Sequence, residues 1–180
     1  MNRHEVTPKA PKDCSDVEIG DFVSFVLAGG EVVAQVLEVR VRRAERISFL
    51  RDNSCLLGVA GLKHPSHNHR SEVSHWSGVA LPEETYPFEL GWVFILPSAR
   101  GRKLSLPLCA PLAEAAGLRG TFATSKTDNR GMHTTLQKLG FVQAGTPYKS
   151  PHGDHRLQLF LREPAQSGKG RHHSGPPHTT

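Results

Sequence analysis

Residues 96–108 read LPSARGRKLSLPL, so Arg100, Gly101, Arg102 and Lys103 are followed at once by Leu104 and Ser105. They stand between a strand-like run, ELGWVFI from Glu89, and a helix-like run, SLPLCAPLAEAAGL. The start of a helix leaves main-chain N–H groups unpaired and carries a partial positive charge, so a tight turn leading into it cradles anions, phosphate above all. The cations supplement those amides. The same stretch also reads as a basic solvated loop in which Gly101 serves only the turn. A second group, His64, His67, His69 and His75, superficially suggests zinc, but no cysteine or carboxylate completes a set, so no metal site is expected. His172, His173 and His178 read as a surface cluster in a polar tail. Cys14, Cys55 and Cys109 are odd in number and widely spaced, which fits reduced structural thiols better than disulfides or a CxxC pair.

The elements that must position these residues follow from composition and periodicity. A chain of 180 residues with 37% hydrophobic and 22% charged residues is long and apolar enough for one cored domain and too apolar for disorder. Residues 1–15 and 165–180 read as disordered tails, the second basic and His-rich, around a domain over 16–164. DFVSFVL (21–27) predicts a strand broken by Gly29 and Gly30. VVAQVLEVRVRRAER predicts a helix through Val33, Val36, Leu37, Val41 and Ala44, although its valines also alternate as in a strand. RISFLRDNSCLLGVAGLK predicts two strands turning at Asp52 and Asn53, and residues 64–85 a polar connection. ELGWVFILP is the clearest strand. A helix from Ser105 despite Pro107 and Pro111, a strand GTFATS, a helix capped by Gly140 and a last strand LQLFLRE follow. This order predicts an α/β domain (α+β in some schemes), a mixed sheet with helices on both faces.

ELGWVFILPSARGRKLS, followed about twenty residues later by TFATSKTDNRGMHTTLQKLGF, resembles the GNAT superfamily of acyl-CoA-dependent N-acetyltransferases. That family follows a strand with a loop of pattern [RQ]xxGx[GA], then a helix, a strand and a second helix that begins near an Asn and ends in GF. Arg100, Lys103 and Ser105 occupy the three loop positions, Asn129 the Asn, and Gly140 and Phe141 the terminal pair. The resemblance spans about residues 56–162. It implies a twisted, mostly antiparallel sheet with one splayed parallel pair at its centre, strands 90–96 and 121–125, and acetyl-CoA or another acyl-CoA between them. Main chain of Val93, Phe94 and Ile95 would hold the pantetheine arm. Amides and side chains from Arg100, Gly101, Arg102, Lys103, Leu104 and Ser105, with Asn129, would hold the rest of the cofactor. Two departures from the pattern matter. Lys103 replaces the central loop glycine, and Leu136 stands where a tyrosine often protonates the departing thiolate.

The implied reaction is direct attack of an amine on a thioester, which requires a neutral amine and a polarised carbonyl. Glu89 stands eleven residues before Arg100, where some members carry a general base, and desolvation beside Phe88 and Trp92 would raise its pKa toward that role. A strand-edge glutamate paired with a surface cation is the alternative. Tyr148 or His133 would supply the missing proton. Lys63, Arg70 and Trp76 would form a cationic acceptor mouth with one stacking surface, or belong to a solvated loop with Trp76 folded on the core. A small-molecule or peptide amine is the expected acceptor. The formal charge of +5 keeps nucleic acid, or a protein bound to it, open as a partner. A silent CoA-binding domain is the third reading, motivated by Lys103 and Leu136. No stretch is long and apolar enough for a membrane span and no secretory leader is seen, so the expectation is a cytoplasmic protein, with homodimer formation through an edge or C-terminal strand plausible.

Overall fold

The computed structural model describes residues 4–30, 34 and 36–165. Seven strands form one sheet: β1 (His4–Lys9), β2 (Arg46–Asp52), β3 (Cys55–Lys63), β4 (Phe88–Ile95), β5 (Thr121–Lys126), β6 (Val142–Lys149) and β7 (Arg156–Arg162). Their spatial order is β1-β2-β3-β4-β5-β7-β6. Every pairing is antiparallel except β4 with β5. Five helices cover the two faces: α1 (Asp16–Ala28), α2 (Leu37–Arg42), α3 (His67–Ser77), α4 (Ser105–Ala116) and α5 (Arg130–Lys138). On one face α4 and α5 bury Leu108, Leu112 and Leu136 against Phe88, Leu90 and Phe160. On the other, α1 and α2 cover Ile47, Phe49 and Trp92, while α3 packs with Phe122, Tyr148 and Leu159. Each such apolar side chain contributes about 1.5–3 kcal/mol on leaving water, and together they fix the sheet from which β4 and β5 diverge.

The expected mixed sheet with helices on both faces and a central parallel pair is therefore present. Several local expectations are corrected. The run DFVSFVL lies inside α1 and not in a strand. Ile19, Phe22 and Val26 make its buried face, and Ser15 with Glu18 forms a reciprocal capping box before the window in which FVSFVL looked like a strand. The helix expected around Val33 to Ala44 is limited to α2, with Leu37 and Val41 buried; residues 31–33 and 35 lie outside the described residues. The N-terminal stretch expected to be a tail contributes β1, paired along its whole length to β2, and then a single 3-10 turn, Pro11–Asp13. An edge strand tolerates Pro8 and charged neighbours, and for that reason its sequence reads as a tail. The polar connection holds α3, capped by Ser66 at its start and by left-handed Gly78 at its end. β6 carries one buried residue, Tyr148, so no alternation announced it. Residues 166–180 of the expected C-terminal tail lie outside the described residues.

Candidate functional site

The site begins where the only parallel pairing among the described residues ends. β4 and β5 pair at Phe88 with Thr121 and at Glu89 with Phe122, and no further. Beyond Glu89, β4 continues to pair only with β3, and β5 only with β7. The two strands thus diverge, each keeping one unpaired edge toward the other. A bulge in β4 sharpens the divergence. The β3–β4 register slips between Val59 and Gly61, and Trp92 takes a left-handed φ of 53°. Leu90 faces the α4 core while Trp92 faces the α1 side, so side-chain alternation inverts across Gly91. The Trp92 ring lies so close over Gly61 that an added Cβ would come within 2.6 Å of it. After the bulge, Leu96 N donates to Leu57 O on β3. The main-chain groups of Ile95, and by alternation those of Val93, therefore point into the gap, whereas Phe94 is in register with Val59.

At the end of β4 the chain makes a 3-10 turn, Pro97–Ala99, and reaches α4 through Arg100 to Leu104. Gly101 has a φ of 76° and Lys103 a φ of 58°. The position at which the family pattern has glycine thus keeps a glycine-like conformation although it carries a lysine, at a cost of roughly 1–2 kcal/mol. Leu104 at the N-cap of α4 provides no side-chain acceptor, so the amides of the first turn have no cap. Arg100 Nε donates to Ile95 O at 3.0 Å, and its guanidinium lies 5.6 Å from the Phe94 ring. Arg102 is 2.7 Å from His4 Nε2, which ties the loop to β1. Ser105 Oγ is 2.7 Å from Thr135 Oγ1 and joins α4 to α5, while Asn129 caps α5 by accepting from Met132 N.

On the opposite sheet face, at the last paired position, Glu89 is buried at 3% exposure. Lys63 Nζ lies 2.8 Å from Glu89 Oε1 and His69 Nε2 lies 3.0 Å from Oε2, the latter without the alignment of a hydrogen bond. Gly91 leaves the space that the Lys63 ammonium fills, since a Cβ there would stand 2.9 Å from Nζ. The same ammonium is 5.3 Å from the Trp92 ring. Burial pushes the Glu89 pKa up, but Lys63 and then His69 outweigh it and hold the carboxyl well below its ordinary range. Tyr148 is buried nearby, 5.7 Å from the Trp76 ring, and desolvation with the Glu89 charge pushes its phenol up. Arg70 is buried under α3, where Nη1 donates to the carbonyls of Tyr86 and Leu81 while Nε and Nη2 have no partner among the described residues. Burial lowers its pKa.

No family model matches the sequence, and no curated protein matches it. Solved structures match the fold. Escherichia coli ElaA aligns over 89% of this chain and 100% of its own, at 14% identity and a TM-score of 0.66. Salmonella typhimurium yncA, solved with its cofactor acetyl-CoA, aligns over 98% and 99% at 14% identity and a TM-score of 0.63. A protein described as of the GNAT family from Desulfovibrio desulfuricans aligns over 91% and 100% at 14% identity and a TM-score of 0.61. This chain has the GNAT fold.

Within that fold the structure brings one part of the expected site together and redistributes the rest. Val93 and Ile95 line the gap, and Gly101 to Ser105 lie at its open end. The side chains of Arg100, Ser105 and Asn129 are engaged with the protein, so the main chain is what the loop offers in common. The cationic mouth expected from Lys63 and Arg70 does not face outward, because both side chains are buried, and Trp76 alone is partly exposed. The expected upward shift of Glu89 is also corrected, since Phe88 and Trp92 supply desolvation but Lys63 and His69 supply charge. Leu136 is fully buried in the α4–α5 core. The four histidines separate: His69 meets Glu89, His64 lies 3.2 Å from Glu45, and no group of three ligating side chains forms among the described residues. The pairing of His69 with Glu89 is not legible in the sequence, because α3 lies in a polar stretch. Ser66 before it and Gly78 after it were the available signal.

Proposed function

We propose that the chain is an N-acyltransferase that moves an acetyl or related acyl group from acyl-CoA to an amine by direct attack. The observation that carries this reading is the β4–β5 gap, with main chain of Val93 and Ile95 free of strand partners on one wall, Ile95 O accepting from Arg100 Nε, and an uncapped helix start at its end. Similarity in fold to yncA, solved with acetyl-CoA, supports it. The residues fit such a cofactor. Strand-like hydrogen bonds to Val93 and Ile95 suit a pantetheine arm, and the amides of Gly101 to Ser105 suit a diphosphate, with the exposed Lys103 adding charge.

Bound acyl-CoA supplies an activated thioester carbonyl. Main-chain N–H groups of β4 would orient it, and their fixed direction would stabilise charge developing on the oxygen. The Glu89 cluster stands on the opposite sheet face at the start of the gap, where an acceptor amine would approach. Leu136 carries no proton, and the raised pKa of Tyr148 makes it a weak donor. Neither is required, because a thiol of pKa near about 8.5 is a tolerable leaving group at neutral pH. The acceptor on this reading is a small-molecule or peptide amine. Incubation of the purified chain with acetyl-CoA and a panel of amino acids, polyamines and short peptides tests it: amine-dependent thiol release supports the reading, and no release together with no acetyl-CoA binding overturns it.

A further inference from the structure

Glu89 presents little surface to an acceptor. Lys63 Nζ stands 2.8 Å from Oε1, His69 Nε2 stands 3.0 Å from Oε2 out of hydrogen-bond alignment, and the side chain is 4% exposed. His69 differs in each respect. Its side chain is 33% exposed, Nε2 faces Glu89, and Nδ1 has no protein partner among the described residues. It is carried on the first turn of α3, whose Ser66 cap also receives the His69 amide, so the backbone beneath the ring is fixed. The charged or titratable groups around the pair are Lys63 from β3, Arg70 from α3 and Tyr148 from β6.

We propose that His69 is the general base of this site and that Glu89, held by Lys63, is a positioning residue acting through it. The proposal rests on the acyltransferase reading. With a buried carboxylate 3.0 Å from Nε2, the charge favours the proton on that nitrogen and the lone pair on Nδ1 of the partly exposed ring. Nδ1 takes one proton from the acceptor ammonium. The freed nitrogen pair forms the N–C bond to the acyl carbon, the C–S bond breaks with its electron pair on sulfur, and the proton lost by the new amide nitrogen returns to the thiolate or to water. The charge left on imidazolium is balanced by Glu89, whose low pKa keeps it ionised throughout. The Lys63 contact makes Glu89 a poor proton acceptor but a steady counter-charge.

The test uses the full chain with acetyl-CoA and the amine that gives the fastest thiol release in the panel. His69→Gln should lower kcat about a hundredfold or more, leave the acetyl-CoA Kd unchanged and remove the acid limb of the kcat/KM profile. Added imidazole should restore part of the rate to His69→Ala. Glu89→Gln should lower kcat less than His69→Gln, and Lys63→Met/Glu89→Gln guards against a folding defect from the unpaired lysine. Acetyl-CoA binding with His69→Gln at wild-type kcat and an unmoved profile overturns the assignment alone. Wild-type protein that neither binds acetyl-CoA nor releases thiol overturns the acyltransferase reading and this assignment with it.

Discussion

The two ends of the β4–β5 gap are built from different material. At the loop end the available groups are main-chain amides and carbonyls of β4 and of Gly101 to Ser105, held by strand pairing and by a helix start. At the Glu89 end they are ionisable side chains from β3, α3 and β4, held by their charges. A main-chain site tolerates side-chain change provided the backbone path is kept, and Lys103 illustrates it by holding a left-handed φ of 58° that favours glycine. A side-chain site has no such tolerance, because removal of one charge strands another in a medium that solvates it poorly.

That contrast can be broken most forcefully at Lys63. Lys63→Met leaves Glu89 buried without its nearest cation and should cost about 3–5 kcal/mol in denaturant unfolding. Lys63→Met/Glu89→Gln should recover most of this, whereas equal losses in the two variants would mean that Lys63 contributes through packing alone. Ser105, at the loop end, should respond in binding and not in stability. Ser105→Asp puts a negative charge at the helix start and should weaken acetyl-CoA binding about ten- to a hundredfold by calorimetry, or about 1.4–2.8 kcal/mol. Ser105→Ala, which removes only the contact to Thr135, should bind nearly as wild type.

Acid sharpens the comparison further. The folded-state pKa of Glu89 lies below its ordinary value of 4.5, so its stabilising contribution is complete above that value and is lost as pH falls toward the folded value. Unfolding midpoints measured from pH 6 down to pH ~3 should fall more steeply for wild type than for Lys63→Met/Glu89→Gln. Parallel curves would place the acid sensitivity elsewhere. The smallest effect belongs to Lys103→Gly, which relieves a left-handed lysine and should raise stability by about 1 kcal/mol, with only a few-fold loss of acetyl-CoA affinity. A loss of stability would show that the lysine stem holds the turn.

The same division decides what was legible in the sequence. β4, the loop, α4, β5 and α5 form an unbroken stretch from Phe88 to Lys138, and a main-chain site within it leaves its trace as a strand, a glycine, cations and a helix in order. The Glu89 cluster has no such trace. Lys63, His69, Glu89 and Tyr148 come from four elements, and the contact between them depends on β3–β4 register and on a helix, α3, with few apolar residues. The offset from Arg100 points to Glu89, but not to its ionisation, because neighbours in sequence supply desolvation while neighbours in space supply charge. β1 and β6 were hidden for a related reason, since edge strands bury little and so show little alternation. The run DFVSFVL reads as a strand because the capping box that starts α1 lies upstream of it.

Amide hydrogen exchange with and without acetyl-CoA tests the central claim most directly, because it reads the main-chain groups themselves. The amides of Val93, Ile95 and Gly101 to Ser105 should exchange more slowly in its presence, with those of β1 and β2 outside the loop contact unchanged. Unaltered exchange at these positions under saturating acetyl-CoA, or protection confined to another part of the sheet, would contradict the account.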